Sequence, residues 1–336
     1  MVEIGIGGAV TSLLILFVLV ILWTTRPRLS PHLKSNLTLP LGLEELKQEL
    51  YDSERRTPNL IPGTEATIDF ANPSNPTKTD LVFMYVHGFS ASWRETAPVA
   101  ETLAKSFRAN ILQCRLAGHG TGPEGMKCNA EDWLLSLDRQ AQIAEQLGEK
   151  IVVIAVSTGA PLSVWLATHS AIKAKLACLL FMSPNFKIRP NLGFLLTGPF
   201  FSQLIKLLFA GRYRSWVPAN EEQGKFWTTK QPMSALIEMQ KVVDWANAQD
   251  LESLEIPLAT LYMPNDPTIN TRAAMRTHKR FSNVKNELTA VAIDGDKPDH
   301  VFCGDICGEH RTQWTTEYLE NFLIKLDFNE SNHSAS

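Results

Sequence analysis

The feature that most restricts this chain is an alternation that begins near residue 60. Short, almost uninterrupted apolar runs lie at Leu81–Val86, Asn110–Leu116, Ile151–Val156, Ala177–Met182, Pro257–Met263 and Leu288–Ile293. Stretches of helical character separate them, near 92–107, 131–147, 158–169, 270–280 and 311–325. A strand without polar alternation has both faces covered, and a helix between strands returns the chain for a parallel neighbour. The expected architecture is therefore α/β, a mostly parallel central sheet flanked by helices. One interval, between Met182 and Pro257, is too long for a simple crossover. It reads as an inserted helical cap at about 184–255, over the carboxyl edge of the sheet where open α/β sheets bind ligands.

Ahead of this domain, taken as 61–328, the pattern differs. Ile4–Trp23 reads IGIGGAVTSLLILFVLVILW, without a charge. At ~1.5 Å per residue that run matches a hydrocarbon core of about 30 Å. A cleaved signal peptide would carry a basic start, a shorter apolar core and a small-residue cleavage site. Here Glu3 precedes the run, and Arg26 and Arg28 follow it. Residues 1–25 are accordingly expected to be a transmembrane anchor. With Arg26, Arg28 and Lys34 behind it, the body of the chain falls on the cytoplasmic side of a single-pass protein. Residues 26–60, interrupted by Pro27, Pro31, Pro40 and Pro58, read as a tether with helical content at Leu43–Arg56. The polar stretch 329–336 reads as a frayed tail.

Composition excludes several functions. A net charge of −3, with 32 basic and 35 acidic side chains spread along the chain, leaves no nucleic-acid surface. Five cysteines in 336 residues are too few for a disulfide scaffold. Cys303, Cys307 and His310 in CGDICGEH are spaced more widely than a zinc C-x-x-C and have no second pair nearby, so no metal is expected. Two packed thiols, or a disulfide in an oxidising compartment, fit that run better. No phosphate loop or dinucleotide fingerprint follows a strand, so no cofactor is expected. Nothing in the sequence indicates an oligomeric state.

The chemistry lies at the strand ends. IVVIAV runs directly into Ser157, Thr158, Gly159, Ala160 and Pro161, then a helical stretch. A serine at a sharp strand-to-helix turn projects its hydroxyl from the sheet edge, with helix N–H groups behind it. The pattern is A-x-S-x-G, Ala155 standing where glycine is usual. The first long strand ends in HGFSAS, 87–92. The backbone N–H groups of Phe89 and Thr158 fall where an oxyanion hole needs its two donors. Of the eight histidines, His32 and His333 lie outside the domain, while His87 and His119 belong to glycine-rich turns. His169, His278 and His310 belong to helices. His300 remains, in the loop after the last strand. Asp266 follows the Pro257–Met263 strand, whereas Asp296 and Asp299 lie too near His300 in sequence to orient it easily. The competing reading of Asp266 is a cap for the next helix. Serine, aspartate and histidine thus run 157, 266, 300, the order of a hydrolase triad.

These motifs carry a resemblance. Over roughly 65–325, with HGFS at 87–90, LAGHGTG at 116–122, AVSTG at 155–159, NDPTIN at 265–270 and DH at 299–300, the chain resembles the α/β-hydrolase superfamily. The HGF turn and one-piece cap look most like lipases, carboxylesterases and monoacylglycerol lipases. The resemblance implies an α/β-hydrolase fold and a serine hydrolase working through an acyl-enzyme. The expected activity is cleavage of lipophilic carboxylic esters at a membrane, with a thioesterase or acyltransferase as the alternative within the fold. A catalytically silent membrane-bound scaffold is the alternative outside enzymes. In the apolar run Leu192–Phe209, Phe194, Phe200 and Phe201 are expected to bind the acyl chain.

Overall fold

The computed structural model describes residues 6–33, 38–199, 201–293 and 297–328. Its strands are β1 (Thr67–Asp69), β2 (Thr79–Val86), β3 (Asn110–Gln113), β4 (Gly148–Val156), β5 (Leu176–Met182), β6 (Tyr213–Ser215), β7 (Lys230–Pro232), β8 (Leu258–Tyr262) and β9 (Glu287–Ala290). Seven of them form one sheet in the order β1-β3-β2-β4-β5-β8-β9. Every pairing in it is parallel except that of the edge strand β1 with β3. This is the architecture expected of the alternation, an α/β-hydrolase sheet. Each long strand lies where the sequence has an apolar run. The three-residue strands β1, β6 and β7 were not anticipated, because so short a segment shows no periodicity.

The sheet separates two cores. Successive strand side chains point to opposite faces. Val82, Met84 and Val153 join Trp133, Leu137 and Trp165 on one side, while Phe83, Tyr85 and Ile154 join Leu319, Phe322 and Leu323 on the other. The helices Ala130–Leu147 and Gly159–Thr168 cover the first face, and Val99–Ser106 and Glu309–Lys325 the second. The stretch 92–107 is not one helix. A turn at Trp93–Glu95 and a helix at Val99–Ser106 flank Pro98, which lacks the amide a continuous helix needs.

The segment 26–60, expected to be a tether, is docked. Leu46 and Leu50 of the helix Leu43–Arg55 are buried in the main core, as is Leu29 ahead of it. Trp165 Nε1 donates to Pro31 O at 2.9 Å, and Arg115 Nη2 donates to Glu54 Oε1 at 2.9 Å. Its prolines stop helix formation but not packing, so the reading from proline content was incomplete. The N-terminal helix spans Ile6–Thr24, 19 residues, about 28 Å at ~1.5 Å per residue. Its apolar side chains from Val10 to Trp23 are largely exposed. Ile4, where the apolar run begins, lies outside the described residues. Among those residues no helix is long and apolar enough to cross a membrane.

The cap lies between β5 and β8. It carries the helices Phe194–Thr197, Phe201–Leu208, Glu221–Phe226 and Met233–Asn247 and the antiparallel pair β6–β7. The apolar run Leu192–Phe209 holds two helices rather than one. Gly198 takes extended backbone (ψ 148°), the conformation imposed on a residue that precedes proline.

Candidate active site

Three loops at the carboxyl ends of β2, β4 and β8, and a fourth after β9, meet at one point. The turn after β4 is the sharpest. Ser157 has φ 51°, a left-handed conformation that costs a non-glycine residue roughly 1 kcal/mol or more. Two hydrogen bonds hold it there: Ser157 N donates to Met182 O at 3.0 Å, and Asn185 N donates to Ser157 O at 2.9 Å. The small neighbours are obligatory. A Cβ on Gly159 would lie 2.2 Å from Val86 O, and one on Gly88 would lie 3.1 Å from Ser157 Cβ. Ala155 is fully buried within β4, so the methyl at that position is accommodated.

The residues singled out as nucleophile, base and acid come together in a line. Ser157 Oγ is 2.8 Å from His300 Nε2, and His300 Nδ1 is 2.8 Å from Asp266 Oδ2. With Nδ1–H donating to the carboxylate, Nε2 is free to accept the serine proton. Asp266 is fully buried, and its other oxygen accepts the amides of Thr268 at 2.7 Å and Ile269 at 3.0 Å. Those bonds fix the carboxylate's direction. The helix that follows is capped by Asn270, whose side chain accepts from Ala273 N, so Asp266 is not its cap. Asp299 is exposed at the pocket mouth, and Asp296 lies outside the described residues.

The proposed oxyanion donors have the required freedom. Among the described residues, neither Phe89 N nor Thr158 N donates to a protein acceptor, although Thr158 is buried. The HGF turn is braced from behind. His87 Nδ1 bonds Gly88 O at 2.8 Å, while Nε2 accepts the amide of Leu116 at 3.1 Å. Burial pushes the His87 pKa down to about 4, so this strut is neutral imidazole. His119 packs against it and against the rings of Phe89 and Trp133, and burial holds it well below the usual histidine range.

Two polar residues of the site escaped the sequence reading. Asn185, after β5, places Nδ2 3.3 Å from Thr158 Oγ1, and its buried Oδ1 has no partner among the described residues. Glu95, buried behind the HGF turn, accepts the Gly88 amide on Oε1 at 2.7 Å. Neither stands in a recognisable string, and only the folded chain brings them to the serine.

Ser157 and His300 open into a cavity of about 540 Å³. Its apolar walls come chiefly from the cap: Leu196, Trp216, Trp227, Leu236 and Met239, with Ile306 opposite. Phe194 does not line it. It is 61% exposed, because on a helix two residues separate it from inward-facing Leu196 by about 200°. Phe200 lies outside the described residues, as does the side chain of Phe201. Cys303 and Cys307 are free thiols, the latter at the cavity wall.

A serine on a strand-to-helix turn, with aspartate and histidine supplied by later loops of a parallel sheet, is the arrangement of α/β hydrolases that use a serine nucleophile. The chain matches the Alpha/beta hydrolase family over residues 83–300 and belongs to it. It is 34% identical over 87 residues to the thermostable monoacylglycerol lipase of Bacillus sp. (strain H-257), a match spanning 26% of this chain and 34% of that relative. Among solved structures, that of the metagenome-derived lipolytic enzymes LipS and LipT superposes with a TM-score of 0.59 at 18% identity, covering 79% of this chain and 99% of the other. The monoacylglycerol lipase of Paleococcus ferrophilus gives a TM-score of 0.57 at 15% identity, over 76% of this chain and 98% of its own. At those identities the likeness is one of fold.

Proposed function

We propose that the chain is a membrane-anchored serine hydrolase that cleaves lipophilic carboxylic esters through an acyl-enzyme. The observation that carries this reading is the line of two 2.8 Å contacts from Ser157 through His300 to buried Asp266, opening into a cavity walled by Leu196, Trp216, Trp227, Leu236 and Met239 of the cap. Ser157 Oγ attacks the ester carbonyl while His300 Nε2 takes its proton. Asp266 keeps the imidazole in the tautomer that can accept it. The Phe89 and Thr158 amides take the charge that develops on the carbonyl oxygen. His300 then protonates the departing alcohol, and water repeats the sequence to release the acid. No step calls for a cofactor or metal. The preference for a lipophilic acyl group follows from the cap's leucine, tryptophan and methionine walls, and from the lipolytic names of the relatives. A catalytically silent scaffold has no comparable support, since it leaves two free amides beside a polarised serine unexplained.

The helix Ile6–Thr24 anchors the protein in this reading, through the exposed apolar side chains from Val10 to Trp23. Arg26 and Arg28 follow it, which puts the hydrolase domain on the cytoplasmic side. The test is turnover of p-nitrophenyl esters of increasing chain length by detergent-purified protein, with Ser157→Ala as control. Ser157-dependent hydrolysis that rises with chain length is expected. Turnover that falls with chain length, or that is independent of Ser157, would overturn the reading.

A further inference from the structure

Glu95 stands directly behind the turn that supplies the Phe89 amide, and the triad leaves it unused. Its side chain is buried, and Oε1 accepts two protons' worth of contact, the Gly88 amide at 2.7 Å and the Tyr85 hydroxyl at 3.2 Å. A Cβ on Gly88 would lie 3.1 Å from both Glu95 Oε2 and Ser157 Cβ. The carboxyl and the nucleophile's Cβ therefore both crowd the space beside the Gly88 α-carbon. Resting on the hydrolase reading above, we propose that Glu95 is a positioning residue of the oxyanion loop, and that it works as the uncharged acid.

Burial favours that form and outweighs the Gly88 and Tyr85 hydrogen bonds, which pull the other way. The titratable groups facing Glu95 are Tyr85 from β2 and Cys303 and Cys307 from the loop ahead of the last helix. The neighbouring Arg94 turns away, toward Asp305 at 3.4 Å. With no cation paired to it among the described residues, burial pushes the Glu95 pKa up to about 8. A neutral acid still offers its carbonyl oxygen to the Gly88 amide. An ionised one sets a negative charge behind the peptide that must receive a second negative charge in the transition state. In a water-poor site that repulsion acts directly on the rate.

Glu95 should then impose an alkaline limit on activity. The experiment compares kcat and KM for a soluble ester from pH 6 to 9.5 in the full-length parent, Glu95→Gln and Glu95→Ala. The parent kcat is expected to fall about tenfold above pH 8. Glu95→Gln, which keeps the acceptor and cannot ionise, is expected to lose that fall while keeping kcat at pH 6.5 within about threefold. Glu95→Ala frees the loop and should lower kcat by ~10- to 100-fold at every pH with little change in KM. A Glu95→Gln profile that declines with the parent's overturns the inference, as does parental kcat in a folded Glu95→Ala. If the alanine variant does not fold, the glutamine profile alone decides. Absence of any Ser157-dependent turnover in the parent would instead overturn the hydrolase reading, and this inference with it.

Discussion

Ser157 reaches His300 only because its backbone is held at φ 51° while glycines at 88 and 159 let two neighbouring segments close around it. The same economy governs the acid. Asp266 spends one oxygen on the Thr268 and Ile269 amides and keeps the other for His300. Asp266→Asn should therefore leave the fold intact and cut kcat by up to ~10⁴-fold, since the amide would favour the wrong tautomer of His300. Asp299→Asn, at an exposed position, should cost less than about threefold in the same assay. A larger loss from Asp299→Asn would mean that the acid is misassigned. The serine turn was legible in the sequence because its strand, nucleophile and glycine are contiguous. His300 was legible by elimination, since few histidines follow a strand. Glu95 and Asn185 were not, because a single acid or amide in a loop has no pattern, and burial, which gives each its meaning, is a property of the assembled chain.

At the scale of elements, the cap shows where apolar content alone misleads. The run Leu192–Phe209 promised chain-binding phenylalanines, and Gly198–Pro199 divides it into two helices. Hydrophobicity gave the segment but not the face: Phe194 and Leu207 point outward, while Leu196 points into the cavity. The helix Met233–Asn247 supplies Leu236 and Met239 to the same wall. Burying a methylene is worth ~0.8 kcal/mol, so truncating this wall should penalise long acyl chains selectively. Leu196→Ala with Met239→Ala is expected to lower kcat/KM for a decanoate ester about tenfold more than for an acetate ester. Equal losses on both esters in folded protein would mean that these side chains support the cap without reading the acyl chain. The sheet itself was read more securely, because each long buried strand leaves a run of apolar residues and the runs recur in alternation with helical stretches.

For the molecule as a whole, the docked segment and the buried titratable groups govern stability. Removing residues 1–25 spares Leu29, Leu46 and Leu50, and should release an active, soluble domain. Removing residues 1–60 strips three leucines, Leu29, Leu46 and Leu50, from the core and leaves Arg115 without Glu54, a loss of ~5 kcal/mol or more that should abolish folded expression. Proline content hid this docking from the sequence. Folded His87 has its pKa lowered to about 4 from 6.5, so its stabilising share is complete above pH 6.5 and is lost as pH falls through 4. For so deeply buried a group that is about 3 kcal/mol, and His278, also lowered to about 4, acts in the same direction. Glu95, raised to about 8 from 4.5, has the opposite sign: its share is complete below pH 4.5 and is lost as pH rises through 8. Tm by calorimetry should accordingly climb from pH 4.5 to 6.5 and slip between 6.5 and 8, the slip vanishing in Glu95→Gln. A flat Tm across the acid range would contradict these assignments. The central claim, that Ser157 is an activated nucleophile, has a direct measurement. The intact full-length protein is treated with a fluorophosphonate, its mass recorded and the labelled peptide sequenced. One phosphonyl adduct on Ser157, absent from Ser157→Ala and slowed by orders of magnitude in Asp266→Asn, is the predicted result. No adduct on folded protein, or an adduct that persists in Ser157→Ala, would contradict it.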